Sequence, residues 1–247
     1  VNNHNGMGLG YEAIGVMDVD ATSTFETTQS FLVTAKGTMN IAGKAIVAGT
    51  LTNNGVINLT AENATLKAQE GLTVNSTVEG RDVSYADGVY STKLGLKGKG
   101  TEAEPYLINN VNELMAFRNS VNAGETKYNA DGVYVALTDD IDMSTIDWSV
   151  NIGDDCGYTF DGIFDGQNHT ISNLTSVESA AKADGYVCAG LFGAIYGDAS
   201  IKNLTLKNVM IDTGDFVGNN VGALVGFAYS CTGSIENVNV VGNIQIN

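Results

Sequence analysis

Residues 201–209 read IKNLTLKNV, residues 171–177 read ISNLTSV and residues 235–241 read IENVNVV. Set under one another they align Ile171 with Ile201 and Ile235, Asn173 with Asn203 and Asn237, and Leu174 with Leu204 and Val238. A second column keeps step with the first: GIFDG at 162–166, GLFGA at 190–194 and GALVG at 222–226. The steps are 30 and 34 residues in the first column, 28 and 32 in the second. Within a unit, short alternating segments are separated by Gly, Asn and Asp, with Ile201, Asn203 and Thr205 on one face and Lys202, Leu204 and Leu206 on the other. Short strands joined by tight turns and repeated about every 30 residues predict coils whose strands stack in parallel, Ile on Ile and Asn on Asn. Propeller blades would need longer units of four antiparallel strands.

Upstream, VNELMAFRNSV at 111–121 predicts a helix, with Val111, Leu114, Met115 and Phe117 or Arg118 on one face and Asn109 or Asn110 as cap. Its place before the coils suits a lid over their apolar end. GVYVALTDDIDMS at 132–144 reads as the first strand and turn of the coils. Residues 1–97 are β-branched-rich and broken by NNG, AEN and QEG, which predicts a small β-rich domain, a solenoid or a sandwich, with the solenoid the preferred reading. A hairpin over 81–92 turns at Asp87-Gly88. The Gly-rich stretch 95–105, with the single Pro, divides this domain from residues 98–247.

Of 247 residues 30 are Gly and 43% are hydrophobic, enough for a large core. The net charge of −16 speaks against nucleic acid, because binding phosphate needs a basic surface. It also repels anionic polysaccharides. No apolar run reaches the roughly 20 residues that span a bilayer. The first fifteen residues show no charged region followed by an apolar one, so a signal peptide would have been removed from this chain. Cys156, Cys188 and Cys231 form no disulfide scaffold and no CxxC pair; all three suit small core positions, and a Cys156–Cys188 bridge suits an oxidising compartment.

From Gly98 onward the order of motifs GKGTEAEPYLINNVNELMAF, VALTDDIDMSTIDW, FDGIFDGQNHTISNLT, GLFG and GALVG resembles the GLUG-motif repeat proteins. These are exported bacterial surface proteins, abundant in Bacteroidetes. The resemblance covers about residues 98–247. It implies an all-β fold, a right-handed parallel β-helix for which the helix at 111–121 would be the short N-terminal cap, and an adhesin-like role on the outside of a bacterial cell, at the outer membrane or secreted. It implies no catalytic residue and no cofactor.

The densest acidic stretch holds Asp139, Asp140, Asp142 and Asp147, followed by Asp154, Asp155, Asp161 and Asp165. Alternation puts Asp140 and Asp142 on one side of a strand, where with Asp139 they could share a calcium ion, although Asp equally caps turns. Asp161 and Asp165, four apart, are the pair a glycoside hydrolase would need. Arg81 and Arg118 are the only arginines, which leaves a lyase poorly supplied with bases. His4 and His169 lack partner motifs. Tyrosines at coil turns, Tyr158, Tyr186, Tyr196 and Tyr229, offer apolar area with a polar tip to a sugar ring or a partner protein. The expected partner is therefore a glycan or protein on a host or neighbouring cell. Two readings stand beside this one: a polysaccharide-active enzyme and a plain spacer. The chain ends at Ile246-Asn247 with no capping segment, and the expectation there is that the natural chain continues or another molecule packs on the open coil.

Overall fold

The structure is a computed structural model that describes residues 7–10, 14–78, 80–153, 158–177, 188–213 and 220–246. It is mostly β, with parallel sheets, and divides into two compact units, Val1–Gly95 and Leu96–Asn247.

In the first unit three short strands form a layer: β1 (Met7–Leu9), β2 (Gly15–Val19) and β3 (Thr24–Thr27). Each pairs in parallel with its counterpart in the next layer, β4 (Phe31–Val33), β5 (Gly37–Ile41) and β6 (Lys44–Val47). These pair in turn with β7 (Leu51–Asn53), β8 (Val56–Leu59) and β9 (Thr65–Lys67). The register puts Phe31 beside Leu51, Met39 beside Ile57 and Ala45 beside Leu66, all buried. Stacked parallel layers, not an antiparallel sandwich, account for residues 14–67. β10 (Asn75–Ser76) opens a fourth layer on β8. The expected hairpin follows as β11 (Arg81–Ala86) and β12 (Val89–Leu94). Asp87 and Gly88 both have positive φ, 50° and 78°, as a two-residue hairpin turn of this hand requires. β12 then runs antiparallel to β9.

In the second unit β13 (Tyr106–Ile108) precedes α1 (Val111–Asn122), so the first strand lies ahead of the helix and not at 132–144 as expected. Two further layers follow, β14 (Tyr134–Leu137) with β15 (Ile141–Asp142), then β16 (Ile163–Asp165) with β17 (Thr170–Val177). Next come β18 (Cys188–Ala189), β19 (Phe192–Tyr196) and β20 (Ser200–Asp212), and last β21 (Asn220–Val221), β22 (Val225–Tyr229) and β23 (Ile235–Ile246). One parallel sheet runs β13-β14-β16-β20-β23 and continues round its bend as β15-β17-β20-β23; β18-β21 and β19-β22 complete the last two layers.

The register corrects the alignment by letters. Ile201 does sit beside Ile235 and Leu204 beside Val238. Ile171, however, sits beside Leu206, and the neighbour of Ile201 in the layer before is Phe164. GIFDG stacks on SIK of β20, whereas Phe192 of GLFGA has Ile152 beside it, and Ile195, just past that motif, has Phe160.

The expected alternation also fails, for a physical reason. Ile201, Leu204, Leu206, Val209 and Ile211 are all buried, which requires two steps of three residues within β20. Each step crosses an Asn with positive φ, Asn203 at 54° and Asn208 at 57°. A left-handed residue rotates the following chain and returns the next apolar side chain to the interior; Asn tolerates that conformation because its short amide bonds locally. Asn173 (φ 59°) and Asn237 (φ 50°) do the same in β17 and β23, and Gly242 (φ 85°) stands where β20 has Asn208.

The helix is the one expected. Asn110 caps it by accepting from Glu113 N (3.0 Å), and Glu113 Oε2 accepts in return from Asn109 N (2.8 Å). Phe117 packs on Phe160 and Phe164, with ring centroids 5.7 and 6.0 Å away. Side-chain amides close what the helix leaves open. Asn122 Nδ2 donates to Asn151 O and its Oδ1 accepts from Gly153 N, both 2.8 Å. Asn129 treats Thr159 O and Asp161 N in the same way, at 2.8 and 2.7 Å. A carboxamide carries the donor and acceptor of one peptide group, so each Asn stands in for a neighbouring strand residue.

Candidate functional site

Tyr196 ends β19 and Tyr229 ends β22, and the two are direct neighbours in the parallel register. Their rings stack at 5.7 Å with planes 21° apart, and Phe227 adds a third ring 6.2 Å from Tyr229 and 23° from its plane. Tyr196 and Tyr229 are 43% and 56% exposed. With Thr159 these three rings line an open cleft of about 460 Å³. Tyr158, also exposed, is not among the lining residues; its ring lies against Gly124, just past the end of α1, where φ is +70° and any side chain would strike it. Tyr186 lies outside the described residues. Of the four tyrosines expected to share a side, the structure therefore brings together Tyr196 and Tyr229. Phe227 was missed, although it is two residues before Tyr229 on one strand and so on the same face.

Asp161 and Asp198, each two residues beyond a residue that lines the cleft, meet. The Asp161 carboxyl lies against Gly197, which has φ +62°. Burial pushes this carboxyl above the ordinary range and the charges of Asp131 and Asp198 add to the shift, while the Asp198 N–H opposes it. Asp165 belongs to a different neighbourhood. Its Oδ1 accepts from Gln167 N (2.9 Å) and Asn203 Nδ2 (3.0 Å), its Oδ2 from Gln167 Nε2 (2.8 Å), and Lys202 Nζ stands 3.6 Å away. Asp165 is thus the acceptor of a turn and of the neighbouring layer, and its partners and those of Asp161 do not overlap.

Asp140 and Asp142 do share one side, as alternation predicted, and line a hollow of about 300 Å³ with Thr170, Ser172, Asn173 and Lys207. One oxygen of each is engaged. Asp140 Oδ1 accepts from Thr170 N (2.8 Å) and faces His169 Nδ1 (3.2 Å); Asp142 Oδ1 accepts from Ser144 N (3.0 Å) and Asn173 Nδ2 (2.9 Å). Asp139 Oδ1 takes the N–H of Asp140 at 2.9 Å and Asp147 Oδ1 that of Ser149 at 3.0 Å. Among the described residues no three His, Cys, Asp or Glu side chains converge where a metal ion would sit, and Lys207 brings a positive charge to the hollow where calcium was expected. Asp154 and Asp155 lie outside the described residues, as do His4 and Cys156, half of the Cys156–Cys188 bridge.

These hydrogen bonds have a consequence for pH. The Thr170 N–H chiefly, with His169, holds Asp140 below the ordinary carboxylate range, and the Asn173 amide chiefly, with Ser144, does so for Asp142. A carboxyl lowered in the folded state contributes stability that is complete above its unfolded value and lost as pH falls through the lowered one. Melting temperature is therefore expected to fall on the acid side of pH 4, and less steeply in Asp142→Asn, which keeps the acceptor but does not titrate. Thermal melts from pH 7 to pH 3 check this; parallel curves for the two proteins would contradict it.

Both arginines are engaged within the fold. Arg118 lies with its guanidinium 4.8 Å from the Trp148 ring and donates to Val150 O (3.2 Å), and Arg81 pairs with Glu62 at 3.1 Å. Among the described residues no helix is long and apolar enough to cross a membrane.

The chain is 30% identical to Halomucin of Haloquadratum walsbyi over 253 residues, a match that takes in 99% of this chain. It spans 2% of that protein's length. No protein-family profile and no solved structure matches it.

Proposed function

We propose that this chain is a right-handed parallel β-helix module of an exported surface protein, and that it binds a neutral glycan in the Tyr196–Tyr229 cleft without cleaving it. The observation that carries the reading is the pair of exposed, parallel tyrosine rings held in register by adjacent strands. Such rings present apolar area to the CH face of a sugar and hydroxyls to its rim. The net charge of −16, with Asp161 two residues from Thr159 and Asp198 two residues from Tyr196, disfavours uronates and sialylated chains. The layered parallel pairing supports the β-helix, and the motif order and the likeness to Halomucin support a surface role on a bacterial or other cell.

The test is retention of a panel of neutral and acidic polysaccharides and mucin glycans on the immobilised full chain, with product analysis alongside. A neutral glycan is expected to be retained with no new reducing ends. Losing roughly 60 Å² of stacked area at 25 cal/mol per Å² is about 1.5 kcal/mol, so Tyr229→Ala is expected to weaken binding about tenfold. New reducing ends that vanish in Asp161→Asn would overturn the reading in favour of an enzyme. No retention of any glycan would leave the module a spacer.

A further inference from the structure

Six Asn-x-Thr triplets run through the chain, beginning at Asn58, Asn63, Asn75, Asn168, Asn173 and Asn203. In an exported protein this triplet is the pattern that accepts asparagine-linked sugar, and the sugar belongs on a surface turn. The fold sorts the six into two groups.

Four of the asparagines stand on strands and turn their amide toward the neighbouring layer. Asn58 Nδ2 on β8 donates to Asn40 Oδ1 (2.9 Å), and Asn75 Nδ2 on β10 to Ile57 O (3.4 Å). Asn173 Nδ2 on β17 donates to Asp142 Oδ1 (2.9 Å), and Asn203 Nδ2 on β20 to Asp165 Oδ1 (3.0 Å). A sugar on any of these nitrogens would have to enter the gap between layers. Parallel strands lie about 4.8 Å apart, which leaves no room for a sugar ring.

Asn63 and Asn168 are placed alike, one in each unit. Each is the third residue of a four-residue turn closed by a backbone bond, from Ala64 N to Ala61 O (3.1 Å) and from His169 N to Gly166 O (2.7 Å). Both are exposed, and the Thr two residues on opens the next strand, Thr65 in β9 and Thr170 in β17. Neither Nδ2 donates to a group among the described residues. Asn168 Oδ1 accepts from Asn237 Nδ2 at 3.4 Å, which occupies the oxygen and leaves the nitrogen.

From this contrast we infer that Asn63 and Asn168 are N-glycosylation sites and that the other four triplets are silent in the folded chain. The donor is a lipid-linked oligosaccharide. Its anomeric carbon bonds to Nδ2, the bond from that carbon to the carrier's phosphate oxygen breaks with the electron pair leaving on the phosphate, and the proton lost from Nδ2 passes to solvent. The inference rests on the reading of the chain as exported.

The test incubates the purified, folded full chain with a lipid-linked oligosaccharide and a single-subunit oligosaccharyltransferase that accepts plain Asn-x-Thr. Peptides holding one triplet each serve as unfolded controls. The intact mass is expected to rise by two sugar additions, which proteolytic mapping places on Asn63 and Asn168. Asn63→Gln and Asn168→Gln each remove one addition and the double variant removes both, with circular dichroism unchanged. The peptides are expected to accept sugar at all six triplets, so that the fold makes the choice. Sugar on Asn173 or Asn203 of the folded chain to the same extent as on Asn168 would overturn the inference. So would an unmodified folded chain, or peptides that select the same two sites. The reaction runs in a purified system and needs no bound glycan, so a failed transfer counts against these two sites and not against export or the cleft.

Discussion

Trp148→Ala is expected to lower the stability of the second unit by about 3–5 kcal/mol, the range for emptying a large aromatic site. Trp148 is fully buried in the core shared by Phe117, Phe160, Phe164 and Phe192. It also ties three segments together. Its Nε1 donates to Leu191 O (3.1 Å), its backbone N–H to Thr175 O (2.9 Å), and its ring lies under the Arg118 guanidinium. Removal leaves a cavity, a buried carbonyl without this donor and a buried cation without its aromatic face. Trp148→Phe keeps most of the volume and loses the donor, which should cost about 1–3 kcal/mol. Urea unfolding followed by circular dichroism separates the two. A loss below 1 kcal/mol for the alanine variant would contradict the packing described.

Asn151→Ala is expected to cost about 2–5 kcal/mol, although it deletes few atoms. The side chain is completely buried and works as a strand surrogate, with Oδ1 accepting from Gly190 N and Nδ2 donating to Cys188 O, both 3.2 Å. Alanine takes both bonds from buried backbone groups at about 1–3 kcal/mol each. Asn151→Asp gives a signed check. Its carboxylate still accepts from Gly190 N but sets an oxygen against Cys188 O, and burial raises its pKa, so the charged form destabilises. Protonation restores the donor, so the deficit of Asn151→Asp should shrink as pH falls, while that of Asn151→Ala should not. Fluorescence of Trp148, the one Trp in the chain, follows both variants. Equal pH dependence would contradict the assigned bonds.

Much of this was legible in the sequence, and where it was not the reason is specific. The repeat, the parallel stacking, the helix with its Asn cap, the Asp87-Gly88 hairpin and an Asn ladder all follow from turn chemistry and apolar spacing. The register of one layer does not. Asn173 aligns by letters with Asn203, but β20 has two left-handed Asn corners, and Asn173 bonds to the second, Asn208. The partner of Asn203 is Asp165, hidden in an Asp-Gly turn whose letters resemble GLFG better than they resemble IKN. Gly-rich turns look alike wherever they stand, so letters match where structure does not. The signal that resolves it was present: apolar residues three apart across an Asn mark a corner, and counting corners orders the strands. The cleft was half legible. Tyr196 and Tyr229 differ by one layer step, which puts them side by side, but only the register shows that Tyr158 stands apart.

The register is also where the account is most exposed to test. In nuclear Overhauser spectra of the labelled chain, parallel stacking as described predicts that Leu206 shows cross-strand contacts to both Ile171 and Val240, and Ile201 to both Phe164 and Ile235. Contacts between Ile171 and Ile201, with none from Ile171 to Leu206, would contradict it and take the Asn173–Asn208 and Asn203–Asp165 pairings with them.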